Sequence, residues 1–221
     1  MSTDAQPPRL HATPPPGQGG MGGYFFVRSR RDGAWRTGRL SPARYVTGGA
    51  VRVPGSGVVR VEPAVVLTVG RTIHGPGAGA VDVSGALTAI RSALVIRADP
   101  DGADEGIGGT SGPGVHAVAV SARSLAFGDV DPGLLGFTVH AAGTLRASGA
   151  VAAATGWIDA VAQLADRLAT AGEDLPPGSA LVVGSLTATL PVTEQTTVTA
   201  TFARIGALTV HLNPETSGAI A

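Results

Sequence analysis

Short runs of β-branched residues, separated by Gly and Pro, dominate the hydrophobic pattern from Tyr24 onward. The segment from 58 to 69 first alternates between apolar and polar residues and then becomes continuously apolar, as a strand does on passing from a sheet edge into a core. The segments 137–142 and 144–147 predict a hairpin that turns at Gly143. Further strands are predicted over 180–183, 196–202 and 207–212. This spacing is typical of a strand-rich fold.

Two segments carry apolar residues at helical spacing instead. The first covers 82–93, with Asp82 as its predicted N-cap. The second covers 155–171, where an apolar face lies opposite charged residues and Gly172 occupies the position that commonly ends a helix. We therefore predict an α+β domain that is rich in β-structure, a coiled or barrel-like mixed sheet with a few outer helices.

The amino-terminal segment has a different composition from the rest. Residues 1–22 are rich in Pro and Gly and carry too little apolar surface to offset the entropy of ordering, so we expect a disordered arm followed by a single domain over 23–221. The arm does not have the charged start and apolar stretch of a signal peptide, and no later run of about 18 apolar residues occurs. We expect a cytoplasmic protein without a membrane partner.

The composition excludes several kinds of chemistry. The 221 residues contain no Cys, which excludes a disulfide scaffold, a thiolate metal site and a cysteine nucleophile. Every basic residue is Arg, so a Schiff base and a lysine general base are excluded as well, although a GC-rich genome would also explain the absence of Lys. The net charge is zero and no basic block occurs, so we expect no nucleic-acid partner.

The carboxyl-terminal third contains four motifs in a fixed order, and a second set lies earlier in the chain. The four are Gly172-Glu173-Asp174-Leu175, Gly178-Ser179, Gly184-Ser185-Leu186-Thr187 and Ile205-Gly206-Ala207. The earlier set is Val61-Glu62-Pro63-Ala64, the loop 74–77 and Ala93-Leu94-Val95-Ile96. Over about half of its length the chain resembles the 2-keto-4-pentenoate hydratase and 4-oxalocrotonate decarboxylase family of the fumarylacetoacetate hydrolase-like superfamily. The resemblance implies a fumarylacetoacetate hydrolase-like fold.

The resemblance also implies a family metal site that this chain does not retain. In the family, three glutamates surround Mg²⁺ or Mn²⁺ and hold a 2-keto acid. Glu62 matches the first, whereas Ala64 and Val95 stand at the second and third positions, and the family's amino-terminal Lys has no counterpart. We therefore expect neither a metal nor another cofactor, and we expect Ala64 and Val95 to line an apolar substrate pocket.

The candidate site residues are few. Glu62, a carboxylate in an apolar strand, suits a general acid or base, although it would equally suit a solvent-facing position or a salt bridge with Arg60 or Arg97. A second acid is expected from the acidic, Gly-rich loop that contains Asp104 and Glu105; the alternative is a solvated loop.

Three more residues are assigned to substrate binding. Ser185 and Thr187 follow a predicted buried strand, where their hydroxyl groups can hydrogen-bond a carboxylate or enolate; the alternative is a simple turn at the end of a strand. Arg39 occupies a position near the pocket in the family, where it could clamp a carboxylate, or it serves solubility.

These observations favour a metal-independent enzyme of lyase or isomerase type. It would move protons on a small enolisable keto or polyene substrate, by hydration, decarboxylation or intramolecular cyclisation, as in the tailoring of a bacterial natural product. The alternative is a pseudoenzyme without catalytic activity, or a partner subunit of an active hydratase or decarboxylase. We expect a small-molecule substrate and a homo-oligomer.

Overall fold

The computed structural model describes residues 10–11, 22–28, 33–55, 58–99, 115–151, 156–193 and 195–215. In this part of the chain the helices are Ala80–Ala86 (α1) and Trp157–Thr170 (α2), with short 3-10 helices at Pro42–Arg44, Phe127–Asp129 and Pro132–Leu134. The strands are Leu10–His11 (β1), Gly23–Arg28 (β2), Trp35–Leu40 (β3), Tyr45–Val46 (β4), Gly49–Val53 (β5), Val58–Val69 (β6), Leu87–Asp99 (β7), Val115–Val120 (β8), Ser124–Ala126 (β9), Gly136–Ala141 (β10), Thr144–Ala150 (β11), Ala180–Val183 (β12), Leu190–Val192 (β13), Thr197–Phe202 (β14) and Gly206–Pro214 (β15).

The described strands form two sheets. The larger has ten strands in the main order β1-β9-β7-β6-β12-β2-β3, with β8, β4 and β13 attached to it. It is mixed, because β12 is antiparallel to β6 and parallel to β2. The smaller sheet has five strands in the order β11-β10-β14-β15-β5. The predicted class, an α+β fold with a curled mixed sheet and few helices, is confirmed.

The two long strands β6 and β7 form the centre of the larger sheet and bury side chains on both faces. Successive residues of a strand point to opposite faces, which explains why both strands are almost continuously apolar. One face contributes to the main core, together with α2 and the smaller sheet. The opposite face contributes to a second apolar cluster, which we call the inner cluster; it consists of Phe25, Leu40, Ala64, Val66, Ala93, Val95, Val115, Val118, Val120, Ala180 and Val182.

Helix α2 confirms the amphipathic pattern predicted for 155–171. Its apolar residues, among them Trp157, Val161 and Leu164, are buried in the main core. Gly172 follows the helix with a φ of 74°, a conformation that glycine adopts readily, and the Glu173 N–H donates to the Leu168 carbonyl at 2.9 Å. The sequence therefore specifies the end of this helix.

The helix predicted over 82–93 is wrong in its second half. Helix α1 ends at Ala86, and β7 begins at Leu87, which pairs with Val69 of β6. The apolar spacing in this segment fits either structure, and pairing with β6 decides in favour of a strand. Asp82 is not the N-cap; its carboxylate accepts a hydrogen bond from the Gly79 N–H at 2.9 Å, and Gly79 occupies the cap position.

Two residues of the predicted amino-terminal arm are part of the larger sheet. Leu10–His11 pairs antiparallel with β9, through Leu125 and Ser124. Residues 1–9 and 12–21 lie outside the described residues, so the disorder of the arm stays a prediction. Among the described residues, neither α1 nor α2 is long and apolar enough to cross a membrane.

Candidate functional site

Glu62 lies in the middle of β6 with a side chain that is only 2% exposed. On the same face, Ala64 follows two residues later in β6, and Val95 lies directly opposite in β7. Both neighbours are completely buried in the inner cluster. The carboxylate therefore stands in an apolar wall, and Ala64 and Val95 form parts of that wall.

Both oxygens of Glu62 are hydrogen-bonded. Arg97 Nε donates to Oε1 at 2.8 Å, and Arg97 Nη2 donates to Oε2 at 3.3 Å. The Ser185 hydroxyl also donates to Oε2. An arginine fork on a carboxylate fixes the geometry of both groups. Glu62, Arg97 and Ser185 form one connected cluster, which we call the Glu62 cluster.

Arg97 reaches Glu62 because of its position in β7. It lies two residues after Val95 and so projects from the same face of the sheet. Its guanidinium group also covers the ring of Phe25, with the Cζ atom 5.2 Å from the ring centroid. The side chain is 13% exposed and Ser185 is also partly exposed, so the Glu62 cluster reaches solvent at these two residues.

Ser185 reaches Glu62 because the chain leaves β12 close to β6. The Leu186 N–H donates to the Pro63 carbonyl at 3.1 Å, which holds the segment against β6. Gly184 allows the close approach, because a Cβ atom there would lie 3.1 Å from the Ala64 Cβ atom. Thr187 follows in the same segment and donates its hydroxyl to the Ala188 carbonyl at 2.9 Å.

Arg39, which the sequence places near the pocket, is not brought to the Glu62 cluster. In β3, Leu40 joins the inner cluster, so Arg39 projects from the opposite face. There its Nη2 atom donates to Glu173 Oε2 at 2.5 Å, and its guanidinium lies over the Tyr24 ring. Tyr24 first and Glu173 second raise the pKa of Arg39 above its ordinary value by favouring the charged form.

The second predicted acid, Asp104 or Glu105, lies outside the described residues, within the segment 100–114. Their assignment as catalytic groups stays a prediction.

The Glu62 cluster does not fit a divalent metal ion. Mg²⁺ and Mn²⁺ require several oxygen ligands, usually with more than one carboxylate. No group of three or more His, Cys, Asp or Glu side chains within the described ranges is arranged to hold a metal ion. At Glu62 itself, the positively charged Arg97 occupies both carboxylate oxygens. The donor set is that of a salt bridge.

Comparison with known proteins supports the fold. No protein-family model matches the sequence, and no curated protein gives a significant match. Solved structures do match. The 4-oxalocrotonate decarboxylase from Pseudomonas putida G7, complexed with magnesium and adipate, has a TM-score of 0.73 and 22% identity over 86% of this chain and 77% of that one. The chain has a fumarylacetoacetate hydrolase-like fold.

Two further structures extend this likeness. The 2-hydroxyhepta-2,4-diene-1,7-dioate isomerase from Mycobacterium marinum has a TM-score of 0.72 and 16% identity over 88% of this chain and 75% of that one. A putative fumarylpyruvate hydrolase from Burkholderia cenocepacia has a TM-score of 0.68 and 13% identity over 89% of this chain and 86% of that one. At these identities the likeness establishes the fumarylacetoacetate hydrolase-like fold alone.

The sequence predicts Glu62, Ser185, Ala64 and Val95 as parts of one pocket, whereas Arg97 enters only as a salt-bridge partner in the alternative interpretation of Glu62. The signal was its spacing of two residues from Val95, which puts both on one face of a strand.

Proposed function

We propose that this chain is a metal-independent enzyme of lyase or isomerase type, which moves protons on a small enolisable keto or polyene acid. The observation that carries the proposal is the Glu62 cluster: a carboxylate in an apolar wall that accepts hydrogen bonds from both a guanidinium and a hydroxyl. The fold supports it, because the similar structures include a decarboxylase and an isomerase.

Each group has a role in such a reaction. Glu62 takes a proton from the carbon next to a keto group; the electron pair of that C–H bond forms a C=C bond, and the π pair of the C=O bond moves to the keto oxygen. Arg97 and Ser185 donate hydrogen bonds to the resulting enolate oxygen and stabilise its charge. Return of the proton to another carbon gives an isomer. Hydration and decarboxylation proceed through the same kind of enol.

Arg97 provides the fixed positive charge in this scheme. A guanidinium can bind the carboxylate of a 2-keto acid through two parallel hydrogen bonds. Arg97 and Ser185 are more exposed than Glu62, so the substrate approaches from the side of these two residues. When the substrate binds, it replaces some of the hydrogen bonds that Glu62 accepts in the free protein.

Enolisation can be tested without knowing the final product. The full chain is incubated with 2-oxoadipate in D₂O in the presence of EDTA, and exchange of the protons next to the keto group is followed by NMR. We expect catalysed exchange that falls by a factor of about 10² or more in Glu62→Gln, because general base catalysis contributes that much. Glu173→Gln, which alters an exposed glutamate of another salt bridge, serves as the control.

Hydration of 2-hydroxypenta-2,4-dienoate, measured with and without Mg²⁺, provides a second assay. In the first assay, proton exchange that requires Mg²⁺ would contradict the metal-independent mechanism. Proton exchange that is unchanged in Glu62→Gln would show that Glu62 has no part in the mechanism.

A second candidate is a chain without catalytic activity that serves as a partner subunit. The observation that favours it is the burial of Glu62 with both oxygens already bonded, as in a structural salt bridge. Absence of exchange and of hydration above the buffer rate would favour this candidate over the enzyme. The partner-subunit candidate further predicts an effect on an active hydratase or decarboxylase that is mixed with the purified chain. The activity of that enzyme, or its mass measured by light scattering, should change.

A further inference from the structure

A separate cleft of about 540 Å³ opens where β4 and β8 of the larger sheet approach β5 of the smaller one. Aliphatic side chains line part of it, including Leu40, Val46 and Val115. Arg44, Arg52 and His116 line it as well. Glu62, Arg97 and Ser185 do not, so this cleft is not the Glu62 cluster. We call it the intersheet cleft.

Hydrogen bonds through His116 connect Arg44 and Arg52, two of the arginines that line the intersheet cleft. Arg44 Nη1 donates to the His116 carbonyl at 2.8 Å. His116 Nε2 lies 2.7 Å from the Arg52 carbonyl oxygen, which can only accept, so this nitrogen carries the hydrogen and donates. His116 therefore links the 3-10 helix before β4 to β5, and it holds the Arg44 guanidinium near the backbone of Arg52.

These bonds leave most of the guanidinium donors available. Arg44 uses one of its N–H groups, and Arg52 contributes only its carbonyl. Among the described residues, no Asp or Glu lines the cleft, and neither Arg44 nor Arg52 is paired with an acidic side chain. Arg39 also borders the cleft, but its guanidinium is engaged by Glu173 and is not counted here.

This arrangement defines the chemistry of a ligand. Guanidinium groups bind carboxylates and phosphates through paired hydrogen bonds, and two cations in one concave surface concentrate the positive potential there. The aliphatic residues of the cleft suit a short hydrocarbon part. A volume of about 540 Å³ is of the size of small-molecule sites in proteins.

We propose that the intersheet cleft binds a small organic dianion, a phosphate ester or a dicarboxylate with a short aliphatic body, through Arg44 and Arg52. This site is distinct from the Glu62 cluster, and it does not depend on the proposed function.

The test is a titration of the full-length, ¹⁵N-labelled chain, followed by the shifts of its amide NMR signals. The probes are butyl phosphate and adipate, which separate phosphate from carboxylate recognition, and butanol, which lacks the charge. We expect either anion, but not butanol, to shift amide signals of residues 44–46, 50–52 and 115–117. Low ionic strength, with a Debye length of about 30 Å, keeps the charge interactions unscreened.

Substitutions then assign the interaction to the two arginines. Arg44→Gln and Arg52→Gln are each expected to weaken binding by about tenfold, which corresponds to loss of a charge-assisted contact. Arg146→Gln, an exposed arginine in β11 of the smaller sheet, should leave the affinity unchanged. The thermal midpoint of each variant shows that it is folded.

Three outcomes would overturn the proposal. They are the absence of shifts with both anions, equal weakening by Arg146→Gln, and binding that is lost in Arg97→Gln but kept in Arg44→Gln and Arg52→Gln. The last would locate the anion at the Glu62 cluster, so it would count against the cleft while agreeing with the proposed function.

Discussion

The hydroxyl of Tyr45 lies directly against Gly23, so that a Cβ atom on this glycine would be 2.1 Å from Tyr45 Oη. The tyrosine packs against the inner cluster, and its hydroxyl is buried without a hydrogen-bond partner among the described residues. A buried hydroxyl that loses its bonds to water and gains none in return destabilises the folded state.

Tyr45→Phe should therefore stabilise the protein. Removing the unpaired hydroxyl keeps the ring in place, and we expect the free energy of unfolding in urea to rise by about 1 kcal/mol. Tyr24→Phe is the control, because this tyrosine is only partly buried. A loss of stability in Tyr45→Phe would mean that the hydroxyl has a partner in solution.

The same tyrosine predicts a pH dependence of stability at alkaline pH. Burial raises the pKa of Tyr45 above its ordinary value, because it penalises the phenolate. Above about pH 10 the unfolded chain releases this proton while the folded chain retains it, so stability falls as the pH rises. We expect the free energy of unfolding to fall less steeply between about pH 9 and 11 in Tyr45→Phe than in the wild type. Parallel curves would contradict the burial of this group.

Gly23→Ala should destabilise the fold strongly. The added methyl group would meet Tyr45 Oη and, at 2.4 Å, the Ala180 carbonyl oxygen. We expect a loss of about 3 kcal/mol in urea unfolding. Because the Ala180 carbonyl belongs to the backbone, Tyr45→Phe should not rescue the variant. Gly128→Ala, where the methyl group would meet no atom within 4 Å, should be close to neutral.

A double-mutant cycle on Glu62 and Arg97 should reveal strong coupling. Either single variant, Glu62→Gln or Arg97→Met, leaves a largely buried charge without its partner and should cost about 3 kcal/mol in urea unfolding. The double variant should cost less than the sum of the two. The exposed pair of Arg39 and Glu173 is the matched control, with an expected coupling of about 0.5 kcal/mol. Additive effects at Glu62 and Arg97 would contradict the ion pair.

Divalent cations should leave the thermal stability of the protein unchanged. A ligand at about 100 times its Kd stabilises the folded state by about 2.7 kcal/mol, which a melting curve resolves readily. Because Arg97 occupies the Glu62 carboxylate, we expect no shift of the thermal midpoint when EDTA is replaced by excess Mg²⁺ or Mn²⁺. A saturable increase would show a metal site.

The parts of the fold that the sequence predicts best are those whose local signals agree. The apolar face of α2 and Gly172 after it indicate the same helix, and Gly143 lies in the turn between β10 and β11. The segment after Asp82 fails because its spacing suits a helix or a strand. The choice depends on pairing with β6, a contact between distant parts of the chain.

The candidate site likewise contains residues that the sequence predicts and residues whose position depends on contacts between distant parts of the chain. Ala64 and Val95 are predicted by comparing motifs. They stand where the family that the chain resembles has its other two carboxylates, and both lie next to Glu62 in the sheet. The role of Arg97 depends on how β7 aligns with β6, which no single strand reveals. The position of Arg39 depends on which face of β3 packs inward, and its own motif does not contain that information.

The alignment of β6 and β7 has a consequence for how the chain avoids misfolding. A shift of two residues that set Glu62 opposite Ala93 would leave every side chain on its present face, and small aliphatic residues would tolerate it. It would also separate Glu62 from Arg97 and break the two hydrogen bonds between them. The salt bridge thus penalises a mispaired ladder that apolar contacts alone would accept, and its loss should favour trapped conformers during refolding.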